Sequence, residues 1–226
     1  MTNNYIEHPW LKDYPILSGH KHLIIGTHPP MPYNGSMAFY YGNMNEFWRL
    51  LETAHEQDLF FNEHGEAELK LIQKWLNEKK VAITDMVQYT CNAFSTDQEM
   101  MIESDDQLNQ ALQNWLENSS IENIFFTSFS NGKSAYSLFR KWYRKTYRIR
   151  LQEGIKIINQ GNAEFITLNG RKIRLVMLYS PSPAARRGIP RSLPYINWLQ
   201  LNPNVKSPID AFRISWYREY FRNIVQ

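Results

Sequence analysis

His28, Asn45 and Asp85 are the side chains whose types and settings could do chemistry on a flat heterocycle. His28 stands in Gly26-Thr27-His28-Pro29-Pro30, directly after the apolar run Leu23-Ile24-Ile25. An imidazole with an ordinary pKa of about 6.5 can orient water as a base or, when neutral, donate a hydrogen bond. Asn45 opens Asn45-Glu46-Phe47-Trp48, where its amide oxygen can cap a helix while its nitrogen still donates. Asp85 interrupts the apolar stretch Val81-Ala82-Ile83-Thr84-Asp85-Met86-Val87. A carboxylate there must be hydrogen-bonded within the fold or sit at the sheet's end and face a pocket. In a pocket it could read the imide edge of a ring or help to position water. Between His28 and Asn45, the aromatic trio Phe39-Tyr40-Tyr41 could sandwich a planar ring.

Such groups need a frame that brings them to one edge. Apolar runs and periodicity predict strands at 22–26, 81–87, 122–127 and 172–179, and helices at 45–56, 66–79, 105–117, 132–147 and 209–224. Leu69, Ile72, Trp75 and Leu76 share one helical face, as do Leu108, Ala111, Leu112 and Trp115 after a cap at Ser104. Residues 155–170 read as a small hairpin with its turn at Asn169-Gly170, because both central residues of a tight hairpin turn need positive φ. Strands alternating with helices predict an α/β fold, a three-layer α/β/α sandwich around a mainly parallel central sheet of about four strands. Open sheets of this kind bind ligands beyond the carboxyl ends of their strands, where Gly26, His28 and Asp85 fall. The stretch 180–208, rich in Pro, Arg and Asn, is long for a mere connection and is expected to be functional. No repeat or composition break divides the chain, so residues 1–226 are expected to form a single domain.

Composition removes several function classes. A single cysteine, Cys91, excludes an internal disulfide framework and any Cys-cluster zinc or iron–sulfur site, and points to a reducing, cytoplasmic location. No apolar run approaches the ~20 residues needed to span a bilayer, and the first residues lack the basic and apolar regions of a signal peptide. No membrane contact is expected, and a monomer is. The net charge of +3 conceals a division: residues 1–131 hold 7 Lys/Arg against 18 Asp/Glu, and residues 132–226 hold 18 against 4. That polarity suits a protein approaching a polyanion from one side, although two halves neutralising each other across one core would show it too. Arg140, Lys141, Arg144, Lys145, Arg148 and Arg150 alternate with Trp142, Tyr143 and Tyr147, while Arg186, Arg187 and Arg191 follow a Ser-Pro segment. The basic helix and this segment are expected to form parts of one nucleic-acid-binding face.

Ser130-Asn131-Gly132-Lys133-Ser134 matches only the end of a phosphate-binding loop, because its first glycine would have to be residue 127, which is Thr. Lys133 at a helix start could still hold one phosphate. His20 and His22 have no carboxylate or Cys partner nearby in the sequence and make poor metal ligands. No cofactor is implied.

The stretch Leu23 to Leu51 resembles the first motif of the uracil-DNA glycosylase superfamily, closest to its hypoxanthine-DNA and mismatch-specific uracil-DNA glycosylase branches. There a Gly-x-x-Pro loop runs through an aromatic segment into Asn-x-Phe-Trp, here Gly26-Thr27-His28-Pro29 and Asn45-Glu46-Phe47-Trp48. Three further segments follow in the family's order. Val81–Val87, trailed by Ser95-Thr96-Asp97, is similar to the second strand. Ile124-Phe125-Phe126 with Asn131-Gly132 is similar to the third strand and its helix. Tyr179-Ser180-Pro181-Ser182-Pro183-Ala184-Ala185 resembles the Ser-Pro loop that such enzymes press into the minor groove. The resemblance covers roughly residues 20 to 225. It departs at His28, where several branches carry an Asp or Asn that handles the water, and the spacing from the aromatics to Asn45 is one residue shorter. Both Tyr40 and Tyr41 therefore stay candidates for stacking on the base.

The resemblance implies a monofunctional DNA glycosylase that hydrolyses the N-glycosidic bond of a deaminated base, uracil or hypoxanthine, in base excision repair, without lyase action. Its catalytic candidates are His28, Asn45 and Asp85; its base-pocket candidates are Gly26, Phe39, Tyr40 and Tyr41. DNA would be held by Ser180, Ser182, Pro183, Arg186, Arg187 and Lys133. The partner is then DNA containing a damaged base. A catalytically silent nucleic-acid-binding member of the same fold is the alternative, and a nucleoside or nucleotide hydrolase is a third option that would not need the basic second half.

Overall fold

The computed structural model describes residues 5–43 and 46–225, so Asn45 lies outside the described residues. Its centre is a five-stranded sheet built from β2 (His22–Gly26), β3 (Val81–Asp85), β5 (Asn123–Phe126), β6 (Glu164–Leu168) and β7 (Arg171–Met177). The spatial order is β3-β2-β5-β7-β6. β2, β3, β5 and β7 run parallel, and β6 closes the edge antiparallel to β7. A two-stranded ribbon joins β1 (Ile6–Glu7) to β4 (Tyr89–Thr90).

Alternation along each strand sorts the core into two halves. Leu23, Ile25, Ile124, Phe126, Leu175 and Met177 face one side, packed under α3 (Leu112–Asn118), α4 (Ala135–Tyr147), α5 (Gly154–Asn159) and α6 (Leu193–Leu201). Ile24, Val81, Ile83, Phe125 and Val176 face the other, packed under α1 (Glu46–His55), α2 (Leu69–Glu78) and most of α7 (Pro208–Val225). The protein is therefore a three-layer α/β/α sandwich. Each fully buried Ile, Leu or Phe contributes about 1.5–3 kcal/mol, so a strand such as Leu23-Ile24-Ile25, buried on both faces, is a strong determinant of the fold.

The chain leaves β2 for β3 on one side and returns to β5 on the other. The strand order thus reverses between β2 and β5, where open α/β sheets leave a crevice at their carboxyl edge.

Four elements differ from the sequence-based expectation. The sheet has a fifth strand, β6. Residues 105–117 do not form one helix: a 3₁₀ turn spans Asp105–Gln107, Leu108 turns extended and bridges Val87, and α3 begins at Leu112. Gln107 Oε1 accepts from the backbone N–H of Ser104, so the expected cap at Ser104 starts the short turn instead. Residues 155–170 are not all hairpin, because Gly154–Asn159 is helical and the hairpin is confined to β6 and β7. Its turn does fall at Asn169-Gly170, with φ of 51° and 75°. The long stretch 180–208 contains two 3₁₀ turns and α6, which starts with Pro194 in its first turn.

Candidate active site

A pocket of about 550 Å³ opens at the carboxyl edge of β2, β3 and β5, at the reversal of strand order. Thr27 and His28 after β2, Asp85 at the end of β3 and Thr127 after β5 line its base. Tyr40, Tyr41 and Phe47 supply an aromatic wall, Ser95 to Gln98 a polar wall, and Ser180 to Ala185 the rim.

Gly26 and Asp85 are register partners across β2 and β3. A Cβ on Gly26 would overlap Asp85 Oδ1 and come within 2.6 Å of the Tyr41 hydroxyl oxygen, so both groups converge over this glycine. Its lack of a side chain is a requirement of space, since its φ is not in the left-handed region. Tyr41 bonds Thr127 Oγ1 at 3.0 Å and stacks on Phe47 with ring centroids 4.5 Å apart. Thr127 in turn donates to the Ile25 carbonyl, which leaves Tyr41 as the donor of the shared bond.

The second Asp85 oxygen is taken by a residue that the sequence did not single out. His8 Nε2 lies 2.9 Å from Asp85 Oδ2. His8 Nδ1 accepts from the backbone N–H groups of Trp10 and Leu11, both at 3.1 Å. A nitrogen that accepts two N–H bonds carries no proton, so Nε2 is the protonated nitrogen and donates to the carboxylate. The segment that follows β1 thereby orients the carboxylate of β3.

His28 is 5% exposed and lies 4.9 Å, centroid to centroid, from His8. Its Nδ1 donates to the Pro29 carbonyl at 2.7 Å, which leaves Nε2 as an acceptor with no partner among the described residues. Burial, reinforced by the adjacent His8 ring, pushes its pKa down to about 4. The ring is therefore neutral at physiological pH. Its Nε2 lone pair can accept a hydrogen bond from water or ligand.

Asp97 is the second residue that the site adds. Met31 and Phe94 exchange both backbone hydrogen bonds, which brings the 94–98 segment alongside the loop after β2. Thr27 Oγ1 then donates to Asp97 Oδ1 at 2.8 Å. Desolvation raises the Asp97 pKa from 3.8 to about 6; the Thr27 bond opposes that shift and the nearby Asp85 charge adds to it. Two carboxylates with different environments around one cleft form a candidate acid–base pair. Because the Asp97 pKa is higher folded than unfolded, this group favours folding most below about pH 4 and least above about pH 6. Asp97→Asn should accordingly raise Tm at pH 8 while leaving it little changed at pH 4; an equal shift at both values would refute a raised pKa.

Other candidates are placed as follows. Tyr40 is buried against His8, Trp10 and Tyr14 and reaches the pocket wall, with Trp48 Nε1 donating to its carbonyl at 3.0 Å. Phe39 does not line the pocket; it packs into the core between Tyr14 and Trp48. Lys133 is not a free phosphate ligand, since its ammonium donates to the carbonyls of Gln98 (2.9 Å) and Met100 and so fastens the Asp97 segment to the start of α4. At the rim, Ser182 and Pro183 are exposed, and Ser182 Oγ accepts from the Ala184 N–H. Arg186 is exposed but paired with Asp210, whereas exposed Arg187 has no ion-pair partner among the described residues. Beneath the rim, buried Arg213 of α7 donates to the carbonyls of Ser180 and Pro181, a support that no local sequence signal announced.

The fold and site together define an α/β sandwich with a ligand cleft at the switch point of a mainly parallel sheet. No family model matches the chain, and no curated protein does. Among solved structures, a solution NMR structure from Methanosarcina acetivorans described as a "putative Uracil DNA glycosylase" is similar over 94% of this chain and 97% of its own, at 20% identity and a TM-score of 0.49.

Proposed function

We propose that the protein is a monofunctional DNA glycosylase of the uracil-DNA glycosylase superfamily, hydrolysing the N-glycosidic bond of a uracil or hypoxanthine nucleotide flipped out of the duplex. The observation that carries this reading is the convergence of Asp85 Oδ1 and the Tyr41 hydroxyl over Gly26, inside a cleft that also holds Asp97 and has an exposed Ser-Pro rim. The collinear sequence motifs support the same assignment. The flipped base enters against the wall of Tyr40, Tyr41 and Phe47, and unstacking it costs a few kcal/mol. Uracil and hypoxanthine both carry a ring N–H beside a carbonyl, and Asp85, with one oxygen held by His8, presents the other as acceptor for that N–H. Cytosine and adenine present a bare ring nitrogen at that position, so the same carboxylate disfavours them in this pose.

In the chemical step a water oxygen bonds C1′, the C1′–N bond breaks, and its electron pair leaves on the base. Asp97, ionised above pH 6, accepts the proton released by the water, close to the optimum for a general base. His28 Nε2 supplies a further acceptor to fix the water, and Asn45 remains a candidate from its motif alone. Among the described residues no lysine lines the pocket, which favours direct hydrolysis over a Schiff-base route. The test is incubation with uracil- and hypoxanthine-containing oligonucleotides followed by alkaline cleavage of abasic sites. Absence of cleavage on either, from protein that still binds DNA, would return the reading to a silent nucleic-acid-binding module.

Two expected outcomes belong with this proposal. The single-turnover rate should rise with pH through about 6 and level off, and Asp97→Asn should remove that limb. A limb that survives the substitution would assign the titration elsewhere. At the rim, Arg187→Ala should flatten the dependence of log affinity on log salt by about 0.9 for one lost phosphate contact. Ser182→Gly with Pro183→Gly should instead slow excision from paired duplex more than from single strands, because a wedge offsets unstacking and supplies no charge. Equal losses on both substrates would remove the wedge.

A further inference from the structure

We propose that the exposed basic stripe on the second half of α4, with the loop that follows it, is a second docking surface for duplex nucleic acid, at the end of the molecule opposite the pocket. Residues 140–156 hold seven Lys/Arg and one acidic residue, Glu153. The start of α4 is anchored at the pocket, where the Ala135 N–H donates to Ser128 Oγ, and Ser128 lines the cleft. Its last residue, Tyr147, donates to Glu117, and the hairpin turn residue Asn169 donates to the Glu117 carbonyl at the amino ends of the strands. Thirteen helical residues at about 1.5 Å each separate these ends by roughly 20 Å. The stripe and the Ser-Pro rim are thus proposed to hold separate duplex segments. On this proposal the basic helix and the Ser-Pro segment, expected to be parts of one face, act as two.

The aromatic residues between these charges do not reach solvent as a stacking platform. Trp142 and Tyr143 are buried against the sheet with Phe139, and Tyr147 is half-buried. That arrangement turns Lys141, Arg144, Lys145 and Arg148 outward, three to four residues apart on neighbouring turns. Arg140 is paired with Glu153 at 4.0 Å and Lys145 with Asp105 at 3.0 Å. Lys141, Arg144, Arg148 and Arg150 have no ion-pair partner among the described residues. The helix dipole accounts for Arg144 and Lys145 in the last turn and for Arg148 at the C-cap, but not for Lys141 or Arg150. Like charges on adjacent turns repel, so the fold gains nothing from this cluster by itself. A repeating anion offsets the repulsion, and the predominance of Arg favours phosphate oxygens. A bilayer fits less well, since the apolar face of α4 is spent on the core and cannot sink into lipid. Two remote duplex sites would let the protein pass between DNA segments without full release.

The test uses a 20-base-pair duplex with no modified base, so that it does not depend on excision. Anisotropy titrations across a salt series compare the full chain with the triple variant Lys141→Gln, Arg144→Gln, Arg148→Gln and with Arg187→Ala. The triple variant should lose about 2.7 units of the log–log salt slope, at about 0.9 per contact. Stoichiometry at low salt should fall from two duplexes per protein to one, with single-turnover excision from a short duplex unchanged. These charges are exposed, so Tm should hold and serves as the folding control. An unchanged slope and stoichiometry would overturn the proposal. So would loss of binding to phosphatidylserine vesicles with duplex binding intact, which would reassign the stripe to lipid. If excision is never detected but the slope and stoichiometry change as stated, the stripe stands and the glycosylase reading falls separately.

Discussion

Asp85→Ala is expected to reduce single-turnover excision on the order of 10²–10³-fold, the range for removing one preorganised group that holds charge at a reacting centre. The carboxylate joins two parts of the site: Oδ2 accepts from His8, and Oδ1 sits over Gly26 beside the Tyr41 hydroxyl. Its removal also leaves the His8 Nε2–H buried without an acceptor, at a cost of about 1–3 kcal/mol. Activity and stability must therefore be measured together. His8→Ala provides the control, because it frees Oδ2 while leaving Oδ1 in the cleft; it should lower both quantities, and activity by less. In the double variant the stability losses should be well below additive, since the second substitution removes a partner that is already alone. Full excision by folded Asp85→Ala protein would exclude the residue from base recognition. Strictly additive losses would show that the His8 bond has no part in orienting it.

What the sequence discloses about this site divides by the range of the interactions involved. β2 and β3 were legible because a strand buried on both faces must be an unbroken apolar run, and Asp85 stood out because it broke one. The Asn169-Gly170 turn was legible for an equally local reason, two successive positive φ values. His8 and Asp97 were not legible in that way. Each acquires its role from a partner 77 or 70 residues away, His8 through Asp85 and Asp97 through Thr27, and neither lies in a local pattern that marks a ligand. Ser95-Thr96-Asp97 was visible as a polar segment, yet only the pairing of Met31 with Phe94 brings it against the cleft. Arg213 looked like one more cation of a basic half until α7 placed it under the Ser-Pro rim.

The misread segments have similarly physical causes. Residues 105–117 kept helical periodicity in their apolar positions, but Leu108 was drawn into a bridge with Val87, and tertiary pairing overrode propensity. Phe39 shared the aromatic trio with Tyr40 and Tyr41, and the sequence could not separate the core member from the wall members. The positive φ of Tyr41, 57°, marks the backbone reversal that sends its ring toward Phe47 and away from the packing of Phe39. The charge asymmetry in composition says nothing of where the cations stand: α4 starts against Ser128 beside the pocket and ends against Glu117, near the amino end of β7.

Gly26→Ala is expected to lower excision about as far as loss of Asp85 itself, on the order of 10²-fold or more. The new methyl group would occupy the position of Asp85 Oδ1 and press on the Tyr41 hydroxyl. Neither neighbour can yield freely, because Asp85 is tied to His8 and Tyr41 to Thr127. Overpacking of this kind typically costs about 1–3 kcal/mol, and it would also fill the floor on which the base is proposed to rest. The contact can be isolated by repeating the substitution in the Asp85→Ala background, where the principal obstruction is gone. There Gly26→Ala should cost much less stability than in the wild-type chain, with any remainder assigned to Tyr41. A melting series in which Gly26→Ala costs the same with and without the Asp85 carboxylate would show that the two groups do not meet over the glycine. The convergence on which the proposed base pocket rests would then be wrong.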